Sequence, residues 1–384
     1  MASNTTAPAV VKPICPRSSY YALLTLTLPV RPVLRPSLLF LLSSVGATGA
    51  VGIELISCLY ARVSKFGPLP PRLFASPRSA GKSLPSGYGP LTVEAFDLTT
   101  VVASDFDVIF LAVSGDFSLQ YAKSLIGPLN RTYVIDNSSA FRYDPLIPLI
   151  VPEVNASALS ADDRLIANPN CTTAIAVLAL KPLHDAYGLE AVLMSTYQAA
   201  SGAGAEGMDE LRVMTQESLV PPPDGRDPVT NKIFAYPLPF NLIPHIDKFQ
   251  DNGYTKEEMK VVWETRKILG IPDLPVSCTA VRVPVLRAHS ESIIVRTTLP
   301  CPAVPARLYL SRAKGLQVRD DVSATPPVYP MPMTASGQDD VQVGRIRQSL
   351  VFGERGLEFF VVGDQLLRGA ALNAVVIAEV VLKR

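Results

Sequence analysis

Cys171 follows Asn168-Pro169-Asn170 and opens an apolar stretch, a pattern that predicts a thiol in the first turn of a helix. Unpaired N–H groups and the helix dipole stabilise a thiolate there, lowering the thiol's pKa and making it nucleophilic. Read alone, a cysteine at a helix start is more often a small core residue. A nucleophile of this type also needs an acid/base group and a positioning group. Tyr197-Gln198-Ala199-Ala200-Ser201-Gly202-Ala203-Gly204 follows a buried strand and is rich in small residues, so backbone can approach a ligand there. Arg282 and His289 stand seven apart in a charged strand-edge cluster with Arg287. His289 is the only one of the three histidines in such a setting; His184, near a helix end, and His245, after Pro244, read as structural. No two histidines are four apart, and the five cysteines are widely spaced with no CxxC, so neither a metal site nor a disulfide framework is expected.

A second chemical signal lies nearer the start. Val45-Gly46-Ala47-Thr48-Gly49-Ala50-Val51-Gly52 sits between an apolar strand and a helical stretch, the context of a dinucleotide-binding turn. Its spacing is GxxGxxG, and a turn with no ligand remains an alternative. NAD-type sites place an acid about 20 residues beyond the motif. No Asp or Glu occurs between Glu54 and Glu94, and the next strand ends instead at Arg78 and Ser79. A guanidinium and a hydroxyl there suit a 2′-phosphate, which favours NADP over NAD. The alternative is a solvated basic loop.

These residues need a frame. Short strands are expected at residues 38–45, 72–75, 91–96, 106–113 and 133–136, with a helix over 53–60. The near-continuous apolar run at 106–113 is that of a strand buried on both faces. Strands alternating with helical stretches imply a parallel sheet of βαβ units. Beyond residue 170 the pattern becomes α+β, with a mixed sheet. Helices are expected over 173–187, 205–217 and 256–269, and strands over 189–196, 279–284 and 292–298. A proline-rich connection spans 219–244, and an apolar helix closes the chain over 369–382.

The chain has 384 residues, enough for two domains, and its mean hydropathy of +0.25 excludes wholesale disorder. With 35 Lys+Arg against 34 Asp+Glu, nothing global points to nucleic acid or an anionic membrane. The balance is uneven, however. Residues 1–37 hold Lys12, Arg17, Arg31 and Arg35 and no acid, so the remainder carries 31 bases against 34 acids, a formal −3. Pro29, Pro32 and Pro36 would break a membrane helix there, and each Arg would cost about 2.5–3.5 kcal/mol at a bilayer centre. The acid-free, hydroxyl-bearing leader reads as an organelle transit peptide, with a disordered tail as the alternative. A plastid destination is expected with the first reading and a cytoplasmic one with the second.

Several motifs share one order: Gly46–Gly52, Asp136-Asn137-Ser138-Ser139-Ala140-Phe141-Arg142, Asn168–Cys171, Tyr197–Gly204, Asn241-Leu242-Ile243-Pro244-His245-Ile246-Asp247, Glu257-Glu258-Met259-Lys260, Arg282–His289 and Gly369-Ala370-Ala371-Leu372-Asn373. Together they resemble the aspartate-β-semialdehyde dehydrogenases, from about residue 38 to the end. The resemblance implies an α/β architecture: a Rossmann-type dinucleotide-binding domain (38–170 and 361–384) plus an α+β catalytic and dimerisation domain with a mixed sheet (171–360). It implies NADPH-dependent reduction of aspartyl phosphate to aspartate semialdehyde and phosphate, by a homodimer or homotetramer. Cys171 would be the acyl-enzyme nucleophile, His289 its acid/base, and Gln198 the group orienting the acyl intermediate. Arg282 would pair with the substrate carboxylate and Glu257 with its ammonium. Arg142 and Lys260 would hold phosphate with Asn170 assisting. Gly46, Thr48, Gly49, Ala50, Val51, Gly52, Arg78, Ser79, Ser201, Gly202 and Asn373 match cofactor-contacting positions. Asp116 stands where a second glycine is common in such proteins, and Ser43 and Ser44 interrupt the first strand. Glu257 and Lys260 could otherwise be a surface i, i+3 ion pair, and Arg282 and Arg287 ordinary strand-edge charges. Alternatives are an N-acetyl-glutamyl-phosphate or acyl-CoA reductase of the same architecture, or a non-catalytic NADP-binding oligomer.

Overall fold

The structure, a computed structural model, describes residues 39–220 and 230–383. The expected leader, and part of the proline-rich connection, lie outside the described residues. The first strand, β1 (Leu42–Val45), is fully buried and takes the centre of a sheet formed with β2 (Arg72–Ala75), β3 (Ser83–Leu84), β4 (Leu91–Ala95), β5 (Val108–Leu111), β6 (Tyr133–Asp136) and β7 (Leu165–Ala167). The order is β3-β4-β2-β1-β5-β6-β7, parallel throughout except for β3 against β4. Strands 1 and 5 to 7 are continuous apolar runs because helices cover both faces. Asp136, at the end of β6, is one buried exception, and Ser43 and Ser44 are two more, completely buried and with no partner for either hydroxyl among the described residues. Their backbones are satisfied by β2 on one side and β5 on the other, so the sheet holds despite the side chains.

Helix α1 (Ala50–Tyr60) follows β1, and α2 (Gly115–Leu125) follows β5. Asp116 is exposed in the first turn of α2, where a carboxylate meets the positive end of the helix dipole. Helix α3 (Cys171–Tyr187) leaves the first sheet and is buried along most of its length.

The second sheet comprises β8 (Leu189–Gln198), β9 (Val276–Arg282), β10 (His289–Thr297), β11 (Leu316–Val318), β12 (Val341–Ser349) and β13 (Gly353–Gly363), in the order β11-β12-β13-β10-β8-β9. It is mixed: β8 pairs β9 in parallel and β10 antiparallel, and β12 pairs β13 antiparallel. Helices α4 (Gly204–Leu219), α5 (Lys256–Leu269) and α6 (Ala303–Arg312) accompany it. A capping box formed by Thr255 and Glu258 starts α5, and a left-handed Gly270 ends it. The C-terminal helix, α7 (Leu372–Val381), enters through a π-type turn at Leu367–Ala371 and packs back beside α1 and β6.

The expected elements appear within a few residues of their sequence positions. The pattern missed α2, α6, β3, β7, β11, β12 and β13. The last pair shifts register between Gly344 and Arg347, and Arg345 takes a φ of 56°, so the alternation that marks a strand is broken. Among the described residues no helix is long and apolar enough to cross a membrane, and no group of three or more His, Cys, Asp or Glu could hold a metal ion.

Candidate active site

The N-terminus of α3 points into a cavity of about 300 Å³ between the ends of the two sheets. Asn170 is its N-cap; its side-chain oxygen accepts from Thr172 N–H at 3.0 Å and Thr173 N–H at 3.2 Å. That fixes Cys171, half-buried, on the cavity floor. The backbone of the C-terminal segment crosses directly behind it: a Cβ on Gly369 would lie 2.6 Å from the Cys171 Cβ, so only glycine fits.

Helix α5 supplies three groups on one face, Glu257, Lys260 and Glu264, at spacings of three and four residues. Glu257 Oε1 accepts from Asn170 Nδ2 at 2.9 Å and Gln198 Nε2 at 3.2 Å, and its Oε2 from Lys260 Nζ at 3.0 Å. Lys260 also donates to Asp247 at 2.8 Å. This buried cluster is not a solvated surface pair. Burial alone would raise the Glu257 carboxyl, but Lys260 and the two amides outweigh it and hold it below the usual range. Burial likewise opposes the charge on Lys260, yet Glu257 and Asp247 keep its pKa above the ordinary value.

Arg142 enters from the loop after β6. Its Nε donates to Asn168 O at 2.8 Å, Nη2 to Asn137 O at 2.7 Å and Nη1 to Glu264 at 3.2 Å. A guanidinium has five N–H groups, so two remain for a ligand. Glu264 is completely buried, and its other oxygen accepts from the Asn170 N–H at 2.5 Å. Arg282, at the end of β9, donates to Ala199 O at 2.6 Å, and burial lowers its pKa.

His289, at the start of β10, is fully buried behind Gln198 and Gly202. Its Nδ1 accepts from Ala199 N–H at 3.0 Å. Burial and the neighbouring Arg282 push its pKa down to about 3, against the pull of Glu257, so the ring is neutral at ordinary pH.

The thiol corrects the sequence expectation. Burial, then the negative charge of Glu257, push Cys171 up to about 11, although Arg142 and Arg282 act the other way. Burial and the Glu257 charge together raise the thiol above its ordinary value.

The structure gathers Cys171, Gln198, Arg142, Asn170, Glu257, Lys260 and Arg282 at one cavity, with Val51, Ser201 and Gly202 on its wall. Gly46, Thr48 and Gly49 lie in the turn between β1 and α1, and Ala50 and Gly52 in the first turn of α1. Here a dinucleotide fits. Gly46 has a φ of +87°, and a Cβ on it would lie 2.1 Å from Ala112 O. The N-cap Gly49 gives α1 no side-chain cap and its first turn holds no acid, leaving N–H groups open to an anion. Arg78 is exposed and Ser79 buried in the 3₁₀ turn after β2. Asn373 lies away from the cavity wall, fully buried, donating to Ile150 O at 2.9 Å and Asn168 Oδ1 at 2.6 Å. His184 Nδ1 accepts the Leu189 N–H at 3.2 Å, a structural role. His245 stacks on Phe249 in a neighbouring cavity.

Two residues escaped the sequence reading. Glu264 had a signal, the helical spacing from Glu257 and Lys260. Gln365, on the cavity wall, had none: it lies in the link after β13, accepts from Ala288 N–H at 2.9 Å and donates to Ser201 Oγ.

Comparison with known proteins identifies the family. The chain matches the family models "Semialdehyde dehydrogenase, NAD binding domain" over residues 43–161 and "Semialdehyde dehydrogenase, dimerisation domain" over 180–368. It is 42% identical to the aspartate-semialdehyde dehydrogenase of Synechocystis sp., covering 88% of this chain and 96% of that protein. With the enzyme of Bacillus subtilis identity is 43%, over 87% and 95%. A crystal structure of aspartate semialdehyde dehydrogenase II from Vibrio cholerae, complexed with ASA, superposes with a TM-score of 0.81 at 39% identity, covering 90% of this chain and 98% of that one. A thiol at a helix start, a neutral histidine behind it and a paired set of cations and carboxylates, on a nucleotide-binding sheet joined to a mixed one, place this chain in the aspartate-semialdehyde dehydrogenase family.

Proposed function

We propose that the protein reduces L-aspartyl 4-phosphate to L-aspartate 4-semialdehyde with NADPH, a step in making lysine, threonine and methionine. The observation that carries this reading is the charge set around Cys171: Arg142, Lys260 and Arg282 with Glu257 on one cavity wall. The substrate offers a phosphate, a carboxylate and an ammonium, which calls for several bases and one acid. Arg282 pairs with the carboxylate and Glu257 with the ammonium, while Arg142 and Lys260, helped by Asn170, hold the phosphate. Cys171 attacks the acyl carbon and becomes a thioester that Gln198 orients, with His289 beside it. The reduced nicotinamide, when bound, supplies the hydride. Gly46–Gly52, Ser201 and Gly202 would receive the cofactor, and Asn373 would act through Asn168. Arg78 and Ser79 favour NADPH, since Arg78 is exposed and no acid occupies the ribose position.

We assign residues 38–170 and 361–384 to cofactor binding and 171–360 to catalysis and self-association. The partition of strands between two sheets supports that division, except that β13 continues in the second sheet to Gly363. A homodimer or homotetramer accords with the dimerisation model matched over 180–368. The acid-free segment 1–37 supports delivery to a plastid. The test is NADP-linked, phosphate-dependent oxidation of aspartate semialdehyde. Cys171→Ala is expected to abolish turnover while NADPH still binds; appreciable residual activity overturns the nucleophile assignment.

A further inference from the structure

Arg282, the proposed partner of the substrate carboxylate, is buried and held from three sides. Its N–H donates to Ile243 O at 2.8 Å, and the Ile243 N–H donates to Arg282 O at 3.0 Å. Its side chain makes one hydrogen bond, from Nη1 to Ala199 O at 2.6 Å. Among the described residues no carboxylate is hydrogen-bonded to the guanidinium. The third support is aromatic: the Arg282 Cζ lies 5.7 Å from the centroid of the Phe234 ring. An aromatic face attracts a cation without occupying its N–H groups, which stay free to donate to a ligand. A carboxylate in the same place would compete with the substrate's own.

Phe234 is seated by one face of α4. Gly207 and Glu210 stand three residues apart on that helix, so they share the face. Gly207 leaves room for the ring, since a Cβ there would lie 3.1 Å from Phe234 Cζ. Glu210, buried, grips the backbone that carries the ring. Its Oε2 accepts from the peptide N–H of Lys232 at 2.7 Å and of Ile233 at 2.8 Å, and its Oε1 from that of Phe234 at 3.3 Å. Asn231 Nδ2 closes the turn by donating to Phe234 O at 2.9 Å. A neutral amide cannot copy this grip on three consecutive peptides. Glutamine has one acceptor oxygen, and its NH₂ would meet a peptide N–H whichever way it turned. Residues 232–235 also wall a second cavity, of about 620 Å³, which shares Gly202, Glu257, Lys260 and Arg282 with the first. The gripped turn therefore borders the guanidinium on its solvent side.

We infer that Glu210 is a positioning residue for the substrate-carboxylate subsite, holding residues 232–234 so that the Phe234 ring backs the Arg282 guanidinium. The inference rests on the proposed pairing of Arg282 with the substrate carboxylate. Glu210 lines neither cavity, so it acts through Phe234. With the ring seated, the guanidinium is fixed before the ligand arrives. With the grip lost, the ring leaves the cation's face, and the side chain has to be ordered as the aldehyde binds. That weakens binding of the carboxylate-bearing aldehyde. The phosphate groups Arg142 and Lys260, and the turn at Gly46–Gly52, make no contact with Glu210 and keep their geometry.

The test is steady-state kinetics of the full chain in the phosphorylating direction, with aspartate semialdehyde, phosphate and NADP varied in turn. Glu210→Gln is expected to raise the KM for the aldehyde about tenfold, with kcat and the other two KM values within about twofold of wild type. A loss spread equally over kcat and every KM, as a purely structural residue gives, overturns the inference, and so does an unchanged aldehyde KM. Glu210→Asp keeps two acceptor oxygens at a shorter reach; it should show a smaller rise, and it takes the place of Glu210→Gln if that variant does not fold. Phe234→Leu keeps apolar volume but removes the aromatic face, so it should give the same split, and Phe234→Tyr should restore the wild-type value. Because Glu210 acts through the ring, the double variant Glu210→Gln with Phe234→Leu should be no worse than Phe234→Leu alone. Additive losses overturn the inference. Arg282→Lys separates the two readings. If it leaves the aldehyde KM unchanged, the carboxylate assignment fails and the inference with it. If it raises that KM while the Glu210 and Phe234 variants do not, the inference alone fails.

Discussion

Glu264 holds two groups on which the proposed chemistry depends, the guanidinium of Arg142 and the peptide N–H immediately before Cys171. Burial pushes its carboxyl up, though Arg142 and the Asn170 N–H counteract part of that. Removing its charge while keeping its shape should therefore disturb the phosphate subsite first. Glu264→Gln is expected to raise the KM for phosphate about tenfold or more in the phosphorylating direction, the order of a lost charge-assisted hydrogen bond. The KM for the aldehyde should move less, because Arg282 and Glu257 are not bonded to Glu264. Equal changes in both constants would mean that Glu264 only maintains packing. Cys171 shows the same competition at a single atom: Arg142 and Arg282 favour the thiolate, and burial with the charge of Glu257 outweighs them.

Between elements, one cation joins the nucleotide turn to the catalytic strand. Arg287 lies two residues before β10 and bonds Glu54 on α1 and Asp364 after β13. Asp364 also collects the N–H groups of Gly337, Leu366 and Leu367. Next to it Ala288 takes a φ of 74°, unfavourable for a residue with a Cβ, and Gln365 pins its N–H. These contacts aim His289 from three separate pieces of chain. Arg287→Gln is expected to cost about 1–3 kcal/mol of stability, less than a fully buried pair because the guanidinium is 27% exposed. Because α1 follows the nucleotide-binding turn, the KM for the nicotinamide cofactor should rise several-fold. Arg287→Lys should restore part of both in thermal melts and steady-state kinetics. A melting temperature unchanged from wild type in Arg287→Gln would count against the latch.

For the molecule as a whole, one buried acid sets a pH dependence unrelated to catalysis. Glu291, on β10, is completely inaccessible, and neither carboxylate oxygen has a partner among the described residues. Burial raises its pKa well above that of a free glutamate, so the folded state retains a proton that the unfolded chain gives up. Its contribution to stability is full below the unfolded pKa of about 4.3 and is lost as pH rises toward the folded value. Glu291→Gln removes that linkage. The variant should melt at a higher temperature than wild type at pH 8, and the difference should shrink toward pH 5. A difference independent of pH would show that the carboxyl does not titrate on unfolding.

Local signals in the sequence were enough for the strand–turn–helix at Gly46–Gly52, the helix opened by Cys171, and helix α5 with Glu257 and Lys260. Each depends on neighbouring residues: glycine spacing, an N-cap, a three-residue offset. Charge was local too, since the acid-free first 37 residues conceal a formal −3 in the rest. Strands β12 and β13 were not legible because a register shift breaks their alternation, and Gln365 was not because its partners, Ala288 and Ser201, are distant in sequence. Protonation was decided by tertiary structure alone. Composition and spacing place Cys171 and His289, but the thiol rises and the imidazole falls because desolvation and the charges of Glu257 and Arg282 act through space. Residue types can be read along the chain; the dielectric around them exists only once the chain has folded.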